Sequence, residues 1–186
     1  MYNWNPDSYQ KAWHWATLAH EGQTYGGPGE GQHILYLNHI GSVVAEVHWA
    51  LAQMALPDPD LALLCAILHD TLEDTDLHQA EIEEGFGPRI AAGVTALTKD
   101  ESLLDKGQKM ADSLARIRQQ PAEIWVVKMA DRICNLQHPP YYWDKQKKQA
   151  YQAEAQVIYE ALASAHAPLA ARLRQKIQDY CRFFQG

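Results

Sequence analysis

The stretch "LALLCAILHDTLED" constrains this 186-residue chain more than any other. Its first eight residues, 61–68, are apolar without interruption. A helix that is apolar all round has no face to give to water, so it must lie inside a core of other elements. It is far too short to cross a bilayer, which takes about 20 helical residues. The run then meets His69 and Asp70, with Glu73 and Asp74 one turn further on. Carboxylates at the end of a buried helix are costly unless an ion or a network of partners receives them.

The rest of the chain reads as helices able to surround that run. No stretch shows sustained two-residue alternation of apolar and polar residues, so strands are not expected. Asn5 as N-cap and Pro6 at the first position predict a helix to about Glu21. Glycines and proline mark "GQTYGGPGEGQ" as a loop. A second helix is expected over about 38–55. The third starts near Asp60 as N-cap and carries the whole of "LALLCAILHDTLED". Asp76 is placed to cap a short fourth helix that ends at "EEGFGP", and Pro88 opens a fifth through Leu97. A sixth covers about 105–119. Pro121 opens a seventh, "AEIWVVKMADRICNL", and two more follow over about 145–164 and 168–184. The expected fold is all-α: one compact helical bundle, with residues 1–186 as a single domain.

Charge and cysteine usage narrow the partners. The net charge is −7, which argues against a nucleic acid or an anionic membrane surface as the main partner. Residues 1–98 hold two basic and thirteen acidic side chains, whereas 99–148 hold ten basic and seven acidic. That asymmetry suits a cation site facing an anionic ligand, and equally suits solvated helix faces. Cys65, Cys134 and Cys181 lie far apart with no CxxC spacing. They read as free thiols in a cytoplasmic, reducing compartment. The N-terminus has no charged start followed by an apolar stretch, so no signal peptide is expected. The apolar faces of the last helices would suit a homodimer.

Residues four apart share a helix face, which pairs Asp70 with Asp74 and His69 with Glu73. The negative end of a helix also favours a bound cation. Imidazole and carboxylate together suit Mn²⁺, Fe²⁺ or Zn²⁺ better than an all-oxygen Ca²⁺ site. An adjacent His-Asp pair needs further ligands from elsewhere. Asp131 interrupts the apolar run "VVKMADRICNL", with Asn135 one turn later, and His39 leads the second helix. On the residues alone, a capped helix end, an Asp131–Arg132 surface arrangement and a packed histidine stay open beside the metal reading. The tryptophans Trp13, Trp15, Trp49, Trp125 and Trp143 read as core or rim packing, and His20 as a core or hydrogen-bonding residue behind the site.

The set His39, His69–Asp70, Asp131 follows the pattern of the HD phosphohydrolase superfamily. The segments "ILHDTLEDT", "EGFGPRI", "VTALTKDE" and "KMADRICNL", in that order, resemble the hydrolase domain of RelA/SpoT enzymes and the small alarmone hydrolases. "AHEGQ" and "LNHIG" resemble the upstream segments of that family, so the likeness runs from about Ala16 to Ala163. It implies a stand-alone HD-fold hydrolase acting on a small-molecule nucleotide. It also implies His39, His69, Asp70 and Asp131 as metal ligands, with Mn²⁺ the usual ion. Glu73 and Asp74 match the pair that handles water and protons. Asn135 matches a substrate contact, Lys109 aligns with a basic residue of the phosphate-binding region, and Tyr151 lies near an aromatic of the nucleotide pocket. The family reaction removes a 3′-diphosphate from a guanosine alarmone, releasing pyrophosphate. Lys99, Lys106, Lys109 and Lys128 form the pool from which phosphate contacts would come.

One segment departs from the family. Its loop before the first ligand usually reads like Q-x-R-K-x-G-x-P-Y-x-x-H, and here it is "GQTYGGPGEGQHILYLNH". Thr24 and Tyr25 replace the basic pair, and the loop is longer. The metal set is untouched, so hydrolysis is still expected, but the purine is left open between guanosine and adenosine. Tyr25 offers a ring on which either purine could stack. His33 becomes a rival to His39 as first ligand. Rival functions are a phosphatase for another nucleotide, such as a 5′-monophosphate or NADPH, and a sensor that binds an alarmone without cleaving it. Intact Glu73 and Asp74 count against the sensor.

Overall fold

The computed structural model describes residues 3–185. At its centre lies α3 (Pro59–Leu68), with every residue from Leu61 to Leu68 buried. It packs against α1 (Pro6–Ala19), α2 (Tyr36–Gln53), α6 (Pro88–Leu97) and α8 (Ala122–Asn135). The all-round apolar run is thus enclosed by four helices. Asp58, not Asp60, caps α3 by accepting from the Leu61 amide at 3.0 Å. Asp60 instead accepts from the Asn5 amide at 2.7 Å, which ties the start of α1 to α3.

The helix expected to run through Asp74 breaks at its polar end. Asp70 takes φ −102° and ψ 0°, and the Thr71 hydroxyl donates to the Leu68 carbonyl at 2.7 Å. A separate turn, α4 (Thr71–Asp74), follows. The buried threonine hydroxyl occupies a carbonyl that the helix would otherwise use, and local side-chain bonds of this kind compete with helix continuation. His78, not Asp76, precedes α5 (Gln79–Phe86), and its amide donates to Glu81 at 2.9 Å.

The segment read as a loop contains an antiparallel hairpin, β1 (Thr24–Gly26) with β2 (His33–Leu35), in which Tyr25 faces Ile34. Each strand has three residues, too few to display an alternating pattern. The Tyr36 amide donates to the Gln23 carbonyl at 3.0 Å, so the hairpin feeds directly into α2. Further along, α7 (Lys106–Ile117) packs on α6. The C-terminal helices α9 (Lys145–Leu162) and α10 (Ala167–Asp179) close the other side of α8. Arg172 of α10 forks onto the buried Glu46 of α2. Among the described residues no helix is long and apolar enough to cross a membrane.

Gly93 sets how closely α6 approaches α3 and α8. A Cβ there would lie 2.6 Å from Ile124 Cδ1 and 2.7 Å from Cys65 Sγ, both fully buried. At Gly41 in α2 the nearest atom, on Trp13, is 3.8 Å away. Overpacking costs about 1–3 kcal/mol, against about 1 kcal/mol regained in helix propensity when Gly becomes Ala. Gly93→Ala is therefore expected to lower the unfolding free energy measured by urea titration, by a net of about 1 kcal/mol. Gly41→Ala is expected to raise it by about 0.5–1 kcal/mol. Equal effects of the two substitutions would contradict this packing.

Candidate active site

Three helices that pack on one another, α2, α3 and α8, converge at the polar end of the core helix. The first contributes His39, the break after the second presents His69 and Asp70, and the third carries Asp131. The His39 and His69 Nε2 atoms face each other at 3.3 Å. Asp70 Oδ2 lies 2.9 Å from His69 Nε2 and 3.5 Å from His39 Nε2. One ligand atom from each of these residues lies within 4.8 Å of the others. Asp131 adjoins the trio through His39, with Oδ1 3.5 Å from Nε2. Its Oδ2 accepts from Lys128 at 3.1 Å, and its Oδ1 accepts from Asn135.

The donor set fits a divalent transition-metal ion. The His69 Nδ1–H donates to the Ala66 carbonyl at 2.9 Å, which leaves Nε2 aimed at the centre. A backbone acceptor on the far nitrogen is the usual way a ligating imidazole is oriented. Two imidazole nitrogens at 3.3 Å share either a proton or a cation, and the flanking carboxylates favour the charged form of His69. Burial opposes its charge, but the charge and hydrogen bond of Asp70, with Asp131 behind, push its pKa up to about 9. Burial likewise opposes ionisation of Asp70, yet His69 and His39 hold its carboxyl well below the usual range. For Asp131 burial is outweighed by Lys128 and then His69, and its carboxyl is also held down. His33 lies exposed on β2 and does not join this group.

The two acids of α4 have separate surroundings. Glu73 pairs with the Lys99 ammonium at 2.5 Å and accepts from the Lys99 amide at 3.2 Å. Asp74 shares the Tyr36 hydroxyl with Asp70, at 3.0 and 2.5 Å. Burial, then the charge of Asp70, raises the Asp74 carboxyl above its ordinary value. Burial and then Asp70 also keep the Tyr36 hydroxyl protonated far past neutrality. Lys99 is held charged by Glu73 despite its burial. The four-residue spacing thus unites Asp70 with Asp74, through Tyr36. For His69 and Glu73 the helix break intervenes, and Glu73 turns to Lys99.

Tyr36, His39, Asp70, Glu73, Asp74 and Asp131 line part of a cavity of about 790 Å³. Lys99, Lys128 and Arg132 supply its basic wall, and Tyr25, Tyr142, Trp143 and Tyr151 its aromatic wall. Tyr25 accepts from Asn38 at 2.7 Å. Tyr151 lies beneath the Arg132 guanidinium at 4.2 Å and against Trp143 at 5.0 Å between ring centroids. Asn135 is in the wall as well. Lys109 is not: its ammonium pairs with Glu101, because the loop after α6 turns that acid toward it. Trp143, read from the sequence as packing, forms part of the wall. Sequence reasoning also passed over Tyr36, although it lies one turn before His39 on the same helix. No local signal distinguished Arg132 or Tyr142.

Residues 12–173 match the family model described as HD domain. The chain is 27% identical over 142 residues to a guanosine-3′,5′-bis(diphosphate) 3′-pyrophosphohydrolase of Drosophila melanogaster, covering 74% of this chain and 76% of that one. With an enzyme of the same description from Danio rerio it shares 32% over 114 residues, 59% of this chain and 63% of the relative. A solved structure of a metazoan ortholog of SpoT, described as hydrolyzing ppGpp, superposes with a TM-score of 0.81 at 23% identity. That superposition covers 96% of this chain and 98% of the other.

Metal binding can be read through stability. A ligand that binds only the folded chain at 100 times its Kd adds about 2.7 kcal/mol. Titration with Mn²⁺ or Zn²⁺ is expected to raise the melting temperature, and His69→Ala is expected to remove the rise. A His69→Ala protein that still responds as the wild type does would take His69 out of the metal set.

Proposed function

This chain belongs to the HD domain family, and we propose that it is a metal-dependent hydrolase of a purine nucleotide 3′-diphosphate, (p)ppGpp or its adenosine analogue. The reaction adds water across the bond between the ribose 3′ oxygen and phosphorus, giving a free 3′ hydroxyl and pyrophosphate. One observation carries the reading. His39, His69 and Asp70 converge where His39, Asp70, Glu73 and Asp74 line a cavity whose walls also carry Lys99, Lys128, Arg132 and several aromatic rings. The relatives named for this activity supply the substrate class.

His39 Nε2, His69 Nε2 and Asp70 Oδ2 would hold the cation, with Asp131 Oδ1, 3.5 Å from His39 Nε2 on the same side, as the fourth donor. Mn²⁺ suits this mixed nitrogen and oxygen set. When bound, such an ion offsets charge on phosphoryl oxygens and makes water nucleophilic near neutral pH. Asp74 is the better proton carrier of the two acids. It lines the cavity while staying open to solvent, and burial of its carboxyl beside Asp70 raises its proton affinity. It can hold a proton for the departing 3′ oxygen or take one from water. Glu73, fixed by Lys99, positions that lysine at the cavity wall, where its ammonium can meet a phosphate. Lys128 is similarly held by Asp131. Tyr25, Tyr142 and Trp143 offer ring faces to a base. Stacking accepts either purine, and Thr24 and Tyr25 stand where the family's basic pair would add contacts.

The test is product identification from purified protein with Mn²⁺ against ppGpp, pppGpp, ppApp, pppApp, NADPH and nucleoside monophosphates. Pyrophosphate from a 3′-diphosphate is the expected result. Phosphate from monophosphates or NADPH alone, or binding without products, would replace the proposal. Asp74→Asn is expected to lower kcat about 10²- to 10⁴-fold with little change in KM, as loss of a proton-transfer group does. A rate within twofold of wild type would remove Asp74 from the chemistry.

A further inference from the structure

The Tyr36 hydroxyl occupies a position that the cavity, the metal set and the substrate do not by themselves explain. It lies 2.5 Å from Asp70 Oδ2, the same oxygen that approaches both histidine nitrogens, and 3.0 Å from Asp74 Oδ2. A phenol has one proton to donate. Two carboxylates on one hydroxyl therefore share a single donor, and neither can move without disturbing the other. The ring is fixed from several directions. It stacks on the buried His20 at 4.9 Å and 21°, meets Tyr25 edge-on at 6.3 Å, and lies 5.6 Å from the His39 ring. His20 is itself held by Gln23 Oε1 at 2.8 Å. The Gln23 side-chain Nε2 donates to the Asp74 backbone carbonyl at 2.6 Å, and the Gln23 backbone carbonyl accepts from the Tyr36 amide at 3.0 Å. The end of α1, the start of α2 and α4 are thus locked around one phenol.

We propose that Tyr36 is a positioning residue that couples the metal-binding carboxylate Asp70 to the proton-handling carboxylate Asp74, with His20 and Gln23 as its support. This rests on the function proposed above. The Tyr36 hydroxyl is bonded to the two carboxylates. It acts by fixing where Asp70 Oδ2 points and how far Asp74 stands from it. A hydrogen-bonded partner behind a ligating carboxylate is worth about 10- to 100-fold in metal affinity or activity.

The experiment uses the full chain and the variant Tyr36→Phe, which keeps the ring and its stack on His20. Mn²⁺ affinity is measured by calorimetry without nucleotide, and kcat and KM are measured separately. Tyr36→Phe is expected to weaken Mn²⁺ binding and lower kcat, each about 10- to 100-fold, with KM and melting temperature nearly unchanged. Wild-type Mn²⁺ affinity and wild-type kcat in that variant would overturn the proposal. Asp74→Glu gives a second route that does not depend on Tyr36→Phe folding. It preserves the charge and displaces the bridge, so Mn²⁺ affinity is expected to fall about 10-fold, the lower end of the same range. Unchanged affinity there would also overturn the coupling. The wild type separates the two levels. If it binds Mn²⁺ but cleaves none of the nucleotides, the proposed function fails, while the calorimetry still decides the role of Tyr36.

Discussion

The structure depends on a conflict at one end of α3. A helix buried on every side cannot simply continue into carboxylates, because no neighbouring helix face would accept them. The chain resolves this by breaking at His69–Asp70, where the Thr71 hydroxyl takes the Leu68 carbonyl. The break presents an imidazole and a carboxylate to the space between α2 and α8. Everything else at the site follows from how that space is filled. His39 and Asp131 enter it from the flanking helices, and the cavity opens beside it.

Charge balance explains the cast of residues around it. Asp70, Glu73, Asp74 and Asp131 all border the cavity, and lysines meet two of them directly, Lys99 at Glu73 and Lys128 at Asp131. Asp70 is answered by His69 and Tyr36 instead. The two facing Nε2 atoms and Asp70 Oδ2 are donor atoms that this centre offers to a cation. Each lysine answers an acid while presenting itself to the cavity, where a phosphate could compete for it. The acidic first half of the chain and its basic middle meet here, which gives their asymmetry along the sequence a spatial meaning.

The hairpin is the part that most separates this chain from the loop typical of its family. Its β1 places Tyr25 in the cavity wall, and Tyr142 comes close to Gly26 from across the opening. Aromatic faces thus stand where a basic pair would be expected. That change leaves the metal end intact and alters only the walls that would meet a base, which is why the proposed chemistry is narrower than the proposed purine.

Much of this was legible from residue order. An uninterrupted apolar run demands a surrounding layer of helices, and Pro and Asn at helix starts mark where that layer begins, as at Asn5 and Pro6. Residue types pointed to His39, His69, Asp70 and Asp131 as candidates, but capped or packed alternatives stayed open until the helices brought the four together. The sequence did not reveal the helix break, the short strands, or that Lys99 rather than Lys109 faces the cavity. Nor did it reveal that Tyr36 joins Asp70 to Asp74 across 34 and 38 residues. Periodicity reports which side of an element is buried, because burial repeats with the local backbone geometry. Which lysine meets which acid, and which phenol spans two carboxylates, depends on the paths of loops and the close approach of distant helices, and no local pattern encodes that.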